Sequence, residues 1–310
     1  MNEEKYVNTQ QLYNELKCFM KEENILQNES LQPYTFTKTG GQADLLVFPT
    51  TYEEVEGIYA CSKQHGVPLT ILGNGSNLII KDGGIRGIVM ILTKLNKIQV
   101  QGDRITAQSG ASIIEVSRVA YQHGLTGLEF ACGIPGTAGG ALFMNAGAYG
   151  GEVKDVLESA VVIDEQGKIK TLSRDEFDFG YRSSVFGKKH YCVLEGTFLC
   201  EKGESEIIKA KMDELTHLRE SKQPLEYPSC GSVFKRPTGY FAGKLIQDSE
   251  LQGFQIGGVQ VSTKHAGFMV NVENGTASDY IQLIKHVQDT VKEKFNVQLE
   301  TEVKIIGEDQ

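Results

Sequence analysis

Three short segments hold residue types suited to anion binding and proton transfer. Tyr181-Arg182-Ser183-Ser184-Val185-Phe186 places an arginine just after a glycine-aromatic turn. Tyr227 to Pro237 offers Ser232 directly after Gly231, followed by the cations Lys235 and Arg236 between flanking prolines. Leu299-Glu300-Thr301-Glu302-Val303-Lys304-Ile305 alternates apolar and charged residues, which in a strand would set Glu300, Glu302 and Lys304 on one face. Taken singly, each has a plainer reading. Arg182 could serve a surface ion pair, Ser232 a turn, and the last segment an amphipathic edge strand with its charges in water.

Two glycine turns stand beside these. Gly133 to Gly151 is dense in glycine yet carries Leu142, Phe143, Met144 and Tyr149, so it is no flexible linker. Glycine at this density is kept where φ must be positive or where something must approach the main chain. Pro135 presets one turn. Upstream, Ile71 to Leu78 is an apolar run opening into Gly73-Asn74-Gly75-Ser76-Asn77. Two such main-chain N–H surfaces could clasp one large anion, such as a dinucleotide pyrophosphate, and two tight turns without a ligand satisfy the same pattern.

The elements that must position these residues read as an α+β chain. A helix is expected over 9–26, with Leu12, Leu16, Phe19 and Met20 on one face. Thr51 and Glu54 form a capping-box signature for a helix burying Val55, Ile58 and Cys61, followed by a strand from Leu69 to Leu72. Short strands are expected at 88–92, 98–100 and 105–107, then a helix boxed by Ser112 and Glu115 and stopped at His123-Gly124. Further strands are expected at 160–164, 169–172 and 191–199, and a helix at 206–220. Ser278 is the expected cap of a helix carrying Ile281, Ile284, Val287 and Val291, and a terminal strand is expected over 297–306.

Composition narrows the function. With 310 residues the chain can hold two or three domains. A formal net charge of −9 speaks against a nucleic-acid partner. No apolar run reaches membrane-spanning length, and Met1 to Lys5 lacks the start of a signal peptide. Six scattered cysteines without a C-x-x-C pair read as reduced thiols, so a cytoplasmic location is expected. No G-x-G-x-x-G, P-loop, H-E-x-x-H or paired-cysteine spacing is present, and no metal site is expected. Nothing in the sequence specifies an oligomer, and a monomer is the expected state.

In order along the chain stand T-x-x-G-G-x-A-D (from Thr37), G-x-G-S-N-L (from Gly73), and G-I-P-G-T-x-G-G-A-x-x-x-N-A-G-A-Y-G (from Gly133). Y-R-x-S-x-F, G-S-V-F-K-x-P and L-E-x-E-V-K-x-I-G follow. Together they resemble the UDP-N-acetylenolpyruvoylglucosamine reductase (MurB) family, over about residues 35–307. The short connection between Arg182 and Ser232 resembles the type II form. The resemblance implies an FAD-binding unit of the PCMH or vanillyl-alcohol-oxidase type, made of two subdomains (1–95 and 96–215), plus a C-terminal α+β substrate-binding domain (216–310).

On this resemblance, Gly73, Asn74, Gly75, Ser76 and Asn77 with Gly133, Ile134, Pro135, Gly136 and Thr137 would wrap the FAD pyrophosphate. Gly139, Gly140, Asn145, Gly147 and Ala148 would lie along the flavin and ribityl regions. FAD would be held non-covalently. The implied reaction passes a hydride from NADPH through flavin N5 to C3 of UDP-N-acetylglucosamine enolpyruvate, gives a proton to C2, and forms UDP-N-acetylmuramate for peptidoglycan. Arg182 would fork the substrate carboxylate, Glu302 would help hold and polarise it, and Ser232 would be the general acid. Glu300 is the rival of Glu302. Tyr149, Lys222 and Arg236 are implied substrate contacts; Arg236 stands where many members have asparagine, and Lys222 matches only across a short gap. A flavin oxidase of the same fold, acting on a small alcohol, and a non-catalytic flavin-binding protein compete with this reading. Neither accounts for the G-S-V-F-K and L-E-T-E-V-K segments together.

Overall fold

The computed structural model describes residues 9–309, so the reading of Met1 to Lys5 as lacking a signal sequence lies outside the described residues. The chain separates into two compact units, each assembled from discontinuous segments. The first comprises Met1–Gln27 (described from Thr9), Asp44–Asn74 and Gly87–Leu218; the second comprises Asn28–Ala43, Gly75–Arg86 and Arg219–Gln310. Among the described residues no helix is long and apolar enough to cross a membrane.

The first unit is built on a five-stranded antiparallel sheet in the order Ile169–Ser173, Leu157–Ile163, Cys192–Leu199, Arg104–Gln108, Ile98–Gln101. Its inward residues, among them Ile105, Ala107, Val162, Leu172 and Phe198, pack with Val116 and Ala120 of the Ile113–Gln122 helix and with Leu142. Alternation along Arg104–Gln108 is what sends Ile105 and Ala107 to the core. A second cluster gathers Leu12, Leu16, Val55, Ile58 and Cys61 against Ile88 and Met90. There Leu69–Leu72 runs parallel to Ile88–Ile91, and the Tyr52–His65 helix lies between Gln42–Val47 and Leu69–Leu72 in a strand–helix–strand order.

The second unit carries a four-stranded antiparallel sheet, Ser229–Ser232, Phe268–Asn271, Val259–Val261, Gln255–Ile256. The Ala277–Phe295 helix buries Tyr280, Leu283, Ile284, Val287 and Val291, an i, i+3, i+4, i+7 stripe that enters one core with Val259, Val261 and Met269. Each such side chain contributes about 1.5–3 kcal/mol when fully removed from water. Lys304–Ile306 pairs in parallel with Leu78–Ile80.

Several expected elements form as read, and five depart from expectation. The first helix ends at Leu16, not 26: the chain turns through Glu22–Asn24 and Ile25 already begins a strand. Leu12, Leu16 and Met20 are buried as foreseen, but local turns after Leu16 carry Met20 inward and leave Phe19, expected on the same face, exposed. Thr51 caps through its hydroxyl as expected, while the Glu54 carboxylate accepts from Thr50 instead of closing the box on Thr51. Ser112 occupies the cap position without a side-chain cap bond.

The last helix is capped by Thr276, whose box closes with Asp279. Ser278 lies inside the first turn, donating from N–H and hydroxyl to Asp82, and Ile281 is only partly buried. The terminal strand is broken, so the continuous alternation over 297–306 fails. Val233 O accepts from both Glu302 N and Val303 N, at 2.8 and 3.4 Å. Two successive donors on one carbonyl make a bend, and only Lys304–Ile306 remains a strand.

Candidate active site

In the first unit the glycine turns meet. An added Cβ at Gly73 would lie 2.7 Å from Thr137 Oγ1, so only glycine lets the main chain of the first turn rest on the second. Asn74, Gly133, Ile134, Pro135 and Gly136 are partly exposed around this junction. Side-chain-free main chain on two converging turns fits the pyrophosphate of an FAD, which is bound by N–H groups more than by side chains. Thr137 itself is buried, and its hydroxyl accepts from Gly140 N at 3.2 Å. Gly139 is buried against Ser109, whose Oγ would sit 1.9 Å from an added Cβ; the packing of the chain itself demands glycine there. Cys132, the cysteine beside this turn, directs its thiol to Met212 O and Thr216 Oγ1.

Arg182 is set by a pair of tight hairpins. Gly180 and Ser183 exchange both main-chain bonds, leaving Tyr181-Arg182 as a two-residue loop with Arg182 at φ 52°. Ala148 pairs with Gly151 across Tyr149-Gly150, both at positive φ, the signature of a type I′ turn. An aromatic residue and an arginine in the left-handed region are strained, and such strain is held where position matters. Arg182 Nη2 donates to Gly147 O at 2.9 Å, joining the two hairpins.

Asn145 is the tie beneath them. It is fully buried, and its amide donates to Glu152 Oε2 at 2.6 Å and to Gly180 O at 3.1 Å. Its Oδ1 accepts from Lys154 N at 3.0 Å. Glu152, paired with Lys154, escapes sequence reasoning because nothing seven residues from an asparagine marks a partner. Tyr149 is 46% exposed at the tip of its hairpin.

In the second unit Ser232 and Glu302 lie on neighbouring segments. Ser232 ends its strand, exposed, opposite Phe268. The next residue's carbonyl receives Glu302 N, Phe234 bridges Thr301, and Lys235 N donates to Glu300 O. Glu302 O accepts from Asn77 Nδ2 at 3.3 Å, so the glutamate's backbone is fixed on both sides. Glu300 is the more exposed of the two, its side chain 73% exposed and its carboxylate 3.3 Å from Lys235 Nζ, whereas Glu302 is partly buried. Gly75 and Ser76 precede Asn77 in the same unit; an added Cβ at Gly75 would lie 2.2 Å from Tyr34 O.

Arg236 stacks its guanidinium over Phe241 at 3.9 Å. Lys222 is exposed at the end of the Ser205–Lys222 helix. Burial pushes the Cys230 thiol up to about 12, in keeping with a packing residue. Asp82, which the sequence does not mark, accepts from Ala277 N, Ser278 N and Ser278 Oγ and so ties the segment after the first glycine turn to the last helix.

Comparison with known proteins agrees along the whole chain. Residues 223–306 match the family model described as UDP-N-acetylenolpyruvoylglucosamine reductase, C-terminal domain, and residues 43–173 match that described as FAD binding domain. A UDP-N-acetylenolpyruvoylglucosamine reductase of Exiguobacterium sibiricum is 60% identical over 301 residues, 97% of this chain and 99% of that protein. One from Shouchella clausii is 62% identical over 294 residues, 95% of this chain and 94% of that protein. The crystal structure of the Thermus caldophilus enzyme is 30% identical with a TM-score of 0.78, over 91% of this chain and 97% of that one.

Proposed function

Because the chain belongs to the UDP-N-acetylenolpyruvoylglucosamine reductase family and is an FAD-dependent oxidoreductase, we propose that it draws its electrons from NADPH and reduces UDP-N-acetylglucosamine enolpyruvate to UDP-N-acetylmuramate in the cytoplasm. FAD, held non-covalently on the turns at 73–77 and 133–137 with Gly139, Gly140, Asn145, Gly147 and Ala148 along it, would supply the hydride relay between nicotinamide and C3 of the enolpyruvyl group. The FAD-binding subdomains are 1–95 and 96–215, and 216–310 takes the sugar nucleotide.

The chain's own residues divide the remaining work. Arg182 grips the substrate carboxylate with two parallel N–H bonds, stabilising the negative charge that grows there as C3 is reduced. Glu302 holds the same group in place. Ser232 gives its proton to C2; serine is a weak acid in water and acts here through position beside a strongly basic carbon. Lys222 and Arg236 bind the diphosphate as cations, with Tyr149 against the substrate. The observation that supports the assignment is the bond from Glu302 N to Val233 O, which holds the glutamate's main chain on the residue that follows Ser232.

Anaerobic titration tests this in one cuvette. NADPH should bleach the flavin band, and UDP-N-acetylglucosamine enolpyruvate should restore it. Recovery with oxygen or a small hydroxy acid as readily as with the sugar nucleotide would remove the substrate assignment. A flavin that NADPH leaves oxidised would remove the electron donor.

A further inference from the structure

Away from the proposed active site, the first unit assembles a small group of metal-ligating side chains. Cys61 and His65 stand four residues apart on the Tyr52–His65 helix, hence on one face one turn apart. Glu15 meets them from the Thr9–Leu16 helix. Its Oε2 lies 2.6 Å from His65 Nε2, and one ligand atom from each of the three residues falls within 4.8 Å of the other two. The geometry points to a binding site for a thiophilic divalent transition metal, of the zinc type, with Cys61 Sγ, His65 Nε2 and a Glu15 oxygen as protein ligands and water completing a tetrahedron.

Metal chemistry suits this set. Thiolate, imidazole and carboxylate are the zinc donors, and three protein ligands with one open position is a recurrent count. The edges of such a tetrahedron run about 3.3–3.6 Å for ordinary zinc–ligand bond lengths. The Glu15–His65 contact, at 2.6 Å, must therefore open by about 0.7 Å. Glu15 can yield, since its side chain is 33% exposed, and His65 at 17% leaves a path for the ion.

Charge favours the exchange. Without metal, the Glu15 carboxylate is the hydrogen-bond acceptor of the group, and burial followed by the nearby carboxylate pushes the Cys61 thiol up to about 12. When a divalent ion enters, the thiol proton leaves to solvent and the imidazole proton is carried on Nδ1. Thiolate, carboxylate and dication then sum to zero. The ion would pin the Thr9–Leu16 helix to the Tyr52–His65 helix. The spacing C-x-x-x-H is too common to mark a site in sequence, and the third ligand comes from 46 positions upstream of Cys61.

The test uses full-length, FAD-loaded protein, reduced and stripped with chelator. Titration with Co²⁺ should give one equivalent bound with the visible bands of a tetrahedral thiolate site, at wavelengths beyond the flavin absorption. Zn²⁺ should displace it and raise the melting temperature. Cys18→Ala, which removes an exposed thiol, should leave both responses intact. His65→Gln and Glu15→Gln should each weaken binding by about 100-fold or more, since even outer-shell partners are worth 10–100-fold. Cys61→Ser tests the thiol directly, and the Glu15 variant keeps the test open if the buried serine fails to fold. NADPH-dependent turnover should not change with Glu15→Gln. Absence of stoichiometric binding, or binding that survives both the His65 and Glu15 changes, overturns the site.

Discussion

At the residue scale, the two halves of the reaction separate the roles. Ser232→Ala should leave NADPH reduction of the flavin intact while slowing re-oxidation by the sugar nucleotide by about 10²–10⁴-fold, the usual worth of a general acid. Stopped-flow absorbance on each half-reaction measures this, and equal losses in both would remove the proton-donor role. Arg182→Lys should not restore turnover, because a point charge lacks the planar fork and because the Nη2 bond to Gly147 O is lost with it.

His265 gives a titration that can be checked independently of activity. Burial lowers its pKa, and its Nδ1 accepts from Gly267 N, so the folded state prefers the neutral ring. A histidine whose folded pKa is depressed contributes stability that is complete above the unfolded value near 6.5 and is lost as pH falls toward the folded one. Urea unfolding between pH 7.5 and 5.5 should show stability falling with acid, with a shallower fall in His265→Asn. Equal slopes would refute it.

At the element scale, the loops bearing Arg182 and Tyr149 owe their shape to Asn145. Asn145→Ala removes three hydrogen bonds from a fully buried position and leaves Gly180 O and Lys154 N without this partner. The expected result is a fall in the rate of the second half-reaction larger than any change in FAD affinity, read from stopped-flow traces beside a flavin-binding titration. A change confined to FAD affinity would return Asn145 to the cofactor alone. In the last helix, Thr276→Ala should cost about 0.5–2 kcal/mol as a lost cap. Ser278→Ala should act instead through Asp82. Leu283→Ala, in the core of the second unit, should cost about 2–5 kcal/mol by denaturant melting.

At the scale of the whole molecule, the chain passes between the two units five times, after Gln27, Ala43, Asn74, Arg86 and Leu218. The second unit therefore draws on the first third of the sequence. Ile79 is fully buried in its core, Leu78–Ile80 is the partner of Lys304–Ile306, and Asp82 caps the Ala277–Phe295 helix. A fragment of 219–310 should accordingly lack a cooperative thermal transition, and adding the peptide 75–86 should restore structure measurable by circular dichroism. A fragment that melts cooperatively alone would show the early segments to be dispensable.

The sequence by itself determined the helices and strands with strong periodicity, from the Tyr52–His65 helix to the Leu157–Ser173 hairpin, because their spacing and turn residues are local signals. It determined the family as well, because the motifs from Thr37 to Gly307 occur in one order. It misjudged the first helix and the terminal strand, where apolar spacing continues but local turns redirect the chain at 17–24 and long-range hydrogen bonds to Val233 bend it at 302–303. Only the tertiary structure set Gly73 on Thr137, bound Asn145 to Gly180, and placed Glu302 N on Val233 O. Each of these rests on a partner far along the chain or on a bend no local pattern encodes, so residue spacing alone carries no trace of it.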